Sequence, residues 1–417
     1  MNVSDTNRAV TAVWRIESPR LIAGLTRLVR DVGRAEELAQ DALVAALEQW
    51  PSAGVPDNPG AWLMATAKHR GIDAIRHAKL AERKHEELGH ELDAARAPDI
   101  EAAIDDDVGD DLLRLVFISC HPVLSTEGRV ALTLRLLGGL TTEEIARAFL
   151  TPETTIQQRI VRAKRMLADE KVPFEVPRGA DRAARLASVL EVVYLVFNEG
   201  YSATAGDDWV RPALCEDALR LGRVLAGLAP EENEVHGLVA LMEIQASRLH
   251  ARVGPSGEPV LLFDQDRSRW DRVLIRRGLA ALERAETLGR PGPYTLQAAI
   301  AACHARARSP AETDWPRIAA LYAALAQIAP SPVVEVNRAV ALGMAFGPAA
   351  GLEVVDALAA EPSLRNYHLL PSVRGDLLHK LGRCDEARAE FERAAELTRN
   401  GAEKKILLER AASCRAS

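Results

Sequence analysis

The stretch from Leu140 to Leu167, LTTEEIARAFLTPETTIQQRIVRAKRML, leaves a chain of this kind few choices, because it encodes the ends of two short helices inside one window. Thr141 stands as an N-cap with Glu144 three residues on, the spacing at which side chain and backbone satisfy each other's free donors in a capping box. Gly138-Gly139 punctuates the boundary upstream. Thr151-Pro152 opens the second helix, with threonine expected as N-cap and proline at the first helical position, where a missing N–H costs nothing. Ile156, Ile160, Ala163 and Leu167 recur on one face at helical spacing. The remainder, from Thr154 on, carries Arg159, Arg162, Lys164 and Arg165 with no acidic residue, and Thr155, Gln157 and Gln158 sit near its start. Cations for phosphates and amides for base edges are what a helix needs to read a DNA groove. The competing reading is an ordinary helical hairpin with a solvated basic face.

The rest of the chain has the same helical character. Apolar residues make up 48% of it and aromatics only 4%, with Ala, Leu, Arg and Glu prominent, which predicts an all-α protein. Its 417 residues suggest two or three domains. Cys120, Cys215, Cys303, Cys384 and Cys414 are scattered without CxxC or His/Cys ligand spacing, so neither a disulfide framework nor a metal site is expected, and a reducing cytoplasm fits. No secretory leader and no run of 18 apolar residues is visible, which predicts a soluble protein without membrane contact. There is no HExxH and no GxxxxGK[ST], so no catalytic residue, no cofactor and no enzyme activity are expected. The net charge of −7 argues against nucleic acid until its distribution is seen: residues 81–110 alone carry −8, leaving weakly basic flanks.

Upstream, AEELAQDALVAALEQW reads as a helix with Leu38, Ala42, Ala45 and Ala46 inward and Glu36, Glu37, Asp41 and Glu48 mostly outward. After the loop PSAGVPDNPG comes AWLMATAKHRGIDAIRHAK, a helix with Trp62 near its start and Lys68, Arg70 and Arg76 further along, suited to holding unstacked bases. AEELAQDALVAALEQW resembles region 2.2, NPGAWLMATAKHRGIDAIRH resembles regions 2.3–2.4, and TIQQR followed by RAKR resembles the region 4 recognition helix of bacterial RNA polymerase sigma factors of the extracytoplasmic-function type. Gln157 and Gln158 replace the usual Lys-Ser, and His69 the usual Arg or Asn.

The resemblance implies a sigma region 2 domain over residues 1–80, an acidic linker over 81–111 and a region 4 helix-turn-helix over 112–171. It implies that Glu37 and Asp41, with Glu36 beside them, dock on core RNA polymerase through its β′ and β subunits. Asn58, Trp62, Lys68, Arg70, Asp73 and Arg76 would open and hold the −10 element of promoter DNA, and Thr155, Gln157, Gln158, Arg159, Arg162, Lys164 and Arg165 would contact the −35 element. Between linker and hairpin, LLRLVFISCHPVLSTEGRVALTLRLL reads as two helices broken at His121-Pro122, forming the apolar base under the hairpin.

Residues 172–417 exceed what such a factor needs. An apolar helix is expected to stop abruptly in a polar turn, Asn198-Glu199-Gly200-Tyr201-Ser202, followed by helices near Arg211–Leu228, Glu232–Val253, Arg269–Gly289, Tyr294–Arg308, Trp315–Ile328, Ser331–Met344, Pro348–Ala360, Tyr367–Leu381 and Asp385–Arg399. Later pairs recur close to the ~34-residue tetratricopeptide period, and Leu381-Gly382, Ala387, Phe391 and Ala394 have that repeat's small-residue and aromatic spacing. The segment also resembles the extension of one sigma subgroup, which implies regulation in cis and an association with small proteins of the YCII/DGPF type. Asn198, Glu199, Tyr201, Asp264, Asp266, Arg267 and Trp270 are the expected regulatory contact, while Asp264, Asp266, Arg267 and Asp271 would otherwise read as an ion-pair network between helices. A helix-turn-helix regulator with a helical sensor, acting without polymerase, is the alternative; the region-2-like half has no use in such a protein.

Overall fold

A computed structural model describes residues 3–70, 108–203, 209–255 and 258–414. They form α-helices joined by turns and short 3₁₀ segments, with one isolated β-bridge between Val253 and Pro259 among the described residues. The chain divides into two compact units, Met1–Val193 and Tyr194–Ser417.

In the first unit, α1 (Val3–Val29) packs on α2 (Val32–Ala53). Asp31 starts α2 by accepting from the Arg34 N–H at 2.6 Å, and Leu21, Ile22, Leu25, Leu38 and Ala42 bury the facing stripes. Helix α3, described over residues 59–70, is capped by Asn58, whose Oδ1 accepts from the Ala61 N–H at 3.1 Å. Its Trp62 meets the fully buried Trp50 edge-to-face at 5.4 Å, a contact worth about 0.5–1.5 kcal/mol beyond area burial.

Helices α4 (Val108–Ser119) and α5 (Thr126–Leu136) are broken at His121-Pro122 as predicted, and bury Leu115, Phe117, Leu132, Leu134 and Leu136. The predicted linker ends earlier than residue 111: α4 already begins at Val108, and Asp111 is buried, bonded to Arg114 at 2.6 Å and to Arg27 at 3.2 Å. Residues 81–107 of that linker lie outside the described residues.

The hairpin is α6 (Thr142–Ala148) and α7 (Glu153–Asp169). The Thr141–Glu144 capping box is formed in both directions, at 3.1 and 2.8 Å. The start of α7 differs from expectation: Pro152 is the N-cap, without a side-chain cap, and the Thr151 hydroxyl donates to the Phe149 carbonyl instead. The turn also supplies its own helix stop, since the Thr151 N–H reaches back to the Ala146 carbonyl while Leu150 takes a left-handed φ of 48°.

Helix α8 (Gly179–Tyr201) begins in the first unit and ends in the second. Its first half is fastened to the α4–α5 corner. The Ser188 hydroxyl donates to the Cys120 carbonyl at 2.7 Å, Arg185 donates to the Phe117 carbonyl at 3.0 Å, and Arg129 pairs with Glu191 at 3.0 Å. The compact division therefore falls inside this helix, some twenty residues beyond the predicted boundary at 171/172. The helix also runs through Asn198–Tyr201, where an abrupt polar turn was expected.

The second unit continues with α9 (Pro212–Leu228), α10 (Asn233–Ala246), α11 (Arg272–Leu288), α12 (Pro293–Arg306), α13 (Trp315–Ile328), α14 (Pro332–Phe346), α15 (Pro348–Ala357), α16 (Leu369–Lys380), α17 (Cys384–Leu397) and α18 (Gly401–Ser413). Sequence neighbours pack on one another along most of this series. Gly382, at φ 75°, makes the turn between α16 and α17, and Ala387, Phe391 and Ala394 are buried. Gly375 lets α17 close on α16, since a Cβ there would stand 2.9 Å from the Phe391 ring.

Candidate nucleic-acid and polymerase interface

Helix α7 buries Ile156, Ile160, Ala163 and Leu167, which turns the cationic residues away from the core. Gln157, Gln158, Arg162 and Arg165 are exposed, and Thr155 and Arg159 are half-buried. Gln157 donates to Glu153 at 3.1 Å, and Glu153 also accepts from the Thr142 hydroxyl at 2.9 Å, so the amide is held at the helix start by a carboxylate on its own first turn. Arg165 pairs weakly with Asp169 at 3.4 Å. Arg159 and Arg162 make no ion pair among the described residues.

Lys164 does not belong to this exposed set. Its ammonium pairs with Glu36 of α2, and Glu36 also accepts from Arg135 Nε of α5 at 2.6 Å. Glu36, expected outward on a docking face, is therefore buried at 3% exposure, and the expectation that it contacts polymerase is corrected. Burial pushes its carboxyl up, but Lys164 and Arg135 together outweigh burial and hold it below the ordinary carboxylate range. Two further ion pairs cross between the same halves of the unit, Arg15–Glu144 at 2.6 Å and Arg27–Asp111 at 3.2 Å. The early helices α1 and α2 and the hairpin base are thus closed on each other through paired charges.

The neighbouring carboxylates stay accessible. Among the described residues Glu37 pairs only with Arg34 on its own helix, at 2.9 Å, and Asp41 lies 3.9 Å from Arg70, which also donates to the Asp41 backbone carbonyl at 2.9 Å. Asn58 is exposed on the loop before α3, and Trp62 and Lys68 are half-buried along it. This brings Asn58, at the cap, and Trp62, Lys68 and Arg70, along the helix, onto one short element whose Arg70 meets Asp41; Asp73 and Arg76 lie outside the described residues.

In the second unit the predicted regulatory residues scatter in role. Asn198 and Asp264 are exposed, while Glu199 is buried against Arg211. The aspartates around Arg267 do not form the expected ion-pair network. Asp266 caps a 3₁₀ turn through the Ser268 N–H, Asp271 caps α11 through the Val273 and Leu274 N–H groups, and Arg267 donates to the His304 and Ala307 carbonyls at 2.8 and 2.7 Å. Tyr201, Arg267 and Trp270 are buried, together with residues the sequence reading missed. Arg252 lies 5.1 Å from the Trp209 ring and 3.9 Å from the Tyr201 ring; Arg248 lies 5.6 Å from Tyr201 and 5.8 Å from Trp270; Arg267 lies 4.9 Å from Trp270. Burial, and then the charges of Arg248 and Arg267, lower the neighbouring His304 to about 4. Tyr201, Trp209, Arg248, Arg252, Arg267 and Trp270 are spread over seventy residues without a regular spacing, so no local signal announced that they come together.

Among the described residues no group of His, Cys, Asp and Glu is arranged to hold a metal ion. No described helix is long and apolar enough to cross a membrane.

Comparison with known proteins places these parts. Residues 14–80 match sigma-70 region 2, residues 114–167 match sigma-70, region 4, and residues 185–286 match a family of unknown function, DUF6596. An uncharacterized protein of Rhizobium meliloti, R00370, is 44% identical over 92% of this chain and 91% of its own length. The ECF RNA polymerase sigma factor SigK of Mycobacterium sp. (strain KMS) is 30% identical over 36% of this chain and 77% of its own length. The probable ECF RNA polymerase sigma factor SigI of Mycobacterium tuberculosis (strain CDC 1551 / Oshkosh) is 25% identical over 43% of the chain and 61% of its own. No solved structure matches.

Proposed function

The chain belongs to the ECF RNA polymerase sigma factors, and from that premise we propose how its parts divide the work of selecting a promoter. As a sigma factor it directs transcription initiation. Core RNA polymerase docks on the exposed carboxylates Glu37 and Asp41 of α2. Asn58, Trp62, Lys68 and Arg70 face the −10 element, and α7 enters the groove at the −35 element with Gln157 and Gln158 at base edges and Arg159, Arg162 and Arg165 on phosphates.

The observation that carries this reading is the pairing, within one compact unit, of an accessible acidic face on α2 with an accessible cationic face on α7. A DNA-only regulator needs the second and not the first. Lys164 joins the DNA contacts only after it leaves Glu36, so the closed arrangement is a resting state.

The test is co-purification with core polymerase and transcription from a promoter library. Glu37→Lys with Asp41→Lys should abolish co-purification while the fold survives, because reversing both charges repels a basic partner surface. Full occupancy on core enzyme by that variant would show that the docking face lies elsewhere, and promoter recognition that needs no polymerase would favour the regulator reading.

The extension, in this proposal, acts in cis, through α8, which leaves the first unit at the hairpin base. A small protein of the YCII/DGPF type is its proposed partner. Loosening α8 with Arg129→Ala and Arg185→Ala should leave core binding intact and shift promoter output several-fold. Unchanged output would remove the regulatory role.

A further inference from the structure

The alternating stack Trp209, Arg252, Tyr201, Arg248, Trp270, Arg267 concentrates three guanidinium groups in the second unit. Arg248 and Arg267 are more than nine-tenths buried, and Arg252 is the least enclosed of the three. Among the described residues none of them forms an ion pair. Three nearby carboxylates are engaged elsewhere: Asp266 and Asp271 cap turns, and Glu199 pairs with Arg211.

The imbalance extends to hydrogen bonds. Among the described residues, Arg248 Nε, Arg252 Nε, Arg267 Nε, Trp209 Nε1 and Trp270 Nε1 are all buried N–H donors without an acceptor, against one unpaired acceptor in these loops, Gln265 Oε1. Buried donors and buried charge are costly when unmatched, and stacking on aromatic faces compensates a desolvated cation only in part. Arg267 is partly offset by the carbonyls at the end of α12 and Arg252 by the Tyr201 side chain, while no side-chain hydrogen bond relieves Arg248 among the described residues.

We propose that the Arg248–Arg252 pair, framed by Trp209, Tyr201 and Trp270, is a binding site for a small dianionic phosphate group, either inorganic phosphate or a phosphomonoester. Guanidinium edges bind planar or tetrahedral oxyanions side-on through Nε and Nη, and the Nε donors left open here are those such a ligand takes. Three guanidinium groups gathered along one set of rings favour a dianion over a carboxylate. The ring faces are already covered by guanidinium groups, so no base stacking is offered, and the recognised group is the phosphate itself.

The experiment is calorimetric titration of the full chain in phosphate-free buffer at constant ionic strength, with inorganic phosphate, methyl phosphate and acetate as separate probes. The expected result is saturable binding of at least one phosphate probe, at least tenfold weaker binding of acetate, and at least tenfold loss of phosphate affinity in Arg252→Gln. Methyl phosphate binding as tightly as inorganic phosphate identifies a phosphomonoester site; exclusion of the methyl ester identifies free phosphate. Arg252→Lys, which keeps the charge and loses the side-on geometry, should fall between, which separates recognition from loss of fold. Asp207 and Asp208 precede Trp209 and lie outside the described residues. Asp207→Asn with Asp208→Asn should leave phosphate affinity in place. Absence of saturable binding in the parent chain, equal binding of acetate, an undiminished response in Arg252→Gln, or binding that arises only in the Asp207/Asp208 variant would each overturn the proposal.

Discussion

Glu36 shows how much one side chain can decide. Its carboxylate is bonded to Arg135 and Lys164 in a nearly dry setting, so removing its charge strands two cations. Glu36→Gln keeps the shape and should destabilise the first unit by about 3 kcal/mol, measurable by denaturant unfolding. The pH dependence follows from the lowered carboxyl: this stabilisation is complete above the unfolded value near 4.5 and drains away as pH falls through the lower folded value. The variant should therefore lose part of the parent's acid sensitivity below about pH 4.5. Leu150 offers a change of opposite sign. It holds a left-handed φ of 48° at the end of α6 with a side chain 55% exposed, so Leu150→Gly relieves strain at little cost in burial and should raise stability by about 0.5–1 kcal/mol. Neither residue announces itself in the sequence. Glu36 reads as one more acidic residue on a helix surface because the partners that bury it stand about a hundred residues away.

At the scale of elements the sequence was far more legible, since helix signals are local. The capping box at Thr141, the break at His121-Pro122 and the apolar stripe of α7 each depend on residues within a turn or two, and each is found in the structure. Failures occurred where the deciding contact was distant or where two local rules competed. Pro152 displaced Thr151 as N-cap, and α8 continued through a polar run because Phe197, Gly200 and Tyr201 are buried. The cationic face of α7 yields a graded prediction. Arg162→Ala should weaken promoter binding about evenly across sequences, whereas Gln157→Ala should cost about 1–3 kcal/mol at a single base position, read by competition footprinting. Gly375→Ala probes the end of the second unit: a Cβ 2.9 Å from Phe391 overpacks α16 against α17 and should cost about 1–3 kcal/mol, seen as faster amide exchange in those helices.

For the whole molecule, a total charge of −7 coexists with the cationic face of α7 because the charges are segregated. Three arginines of α7 on phosphates should give promoter binding a log–log salt slope of about −3, shallower by about one for each arginine removed. The closure of the early helices on the hairpin base lies in none of these local signals. Glu36, Arg135 and Lys164 come from three helices, and Glu36 cannot be exchanged for a neutral residue without stranding both cations. Drift at this locus is consequently gated: among descendants of this chain, positions 36, 135 and 164 should be inherited as a set or replaced as a set. The fold should tolerate an apolar trio installed together where it does not tolerate a neutral residue at 36 alone.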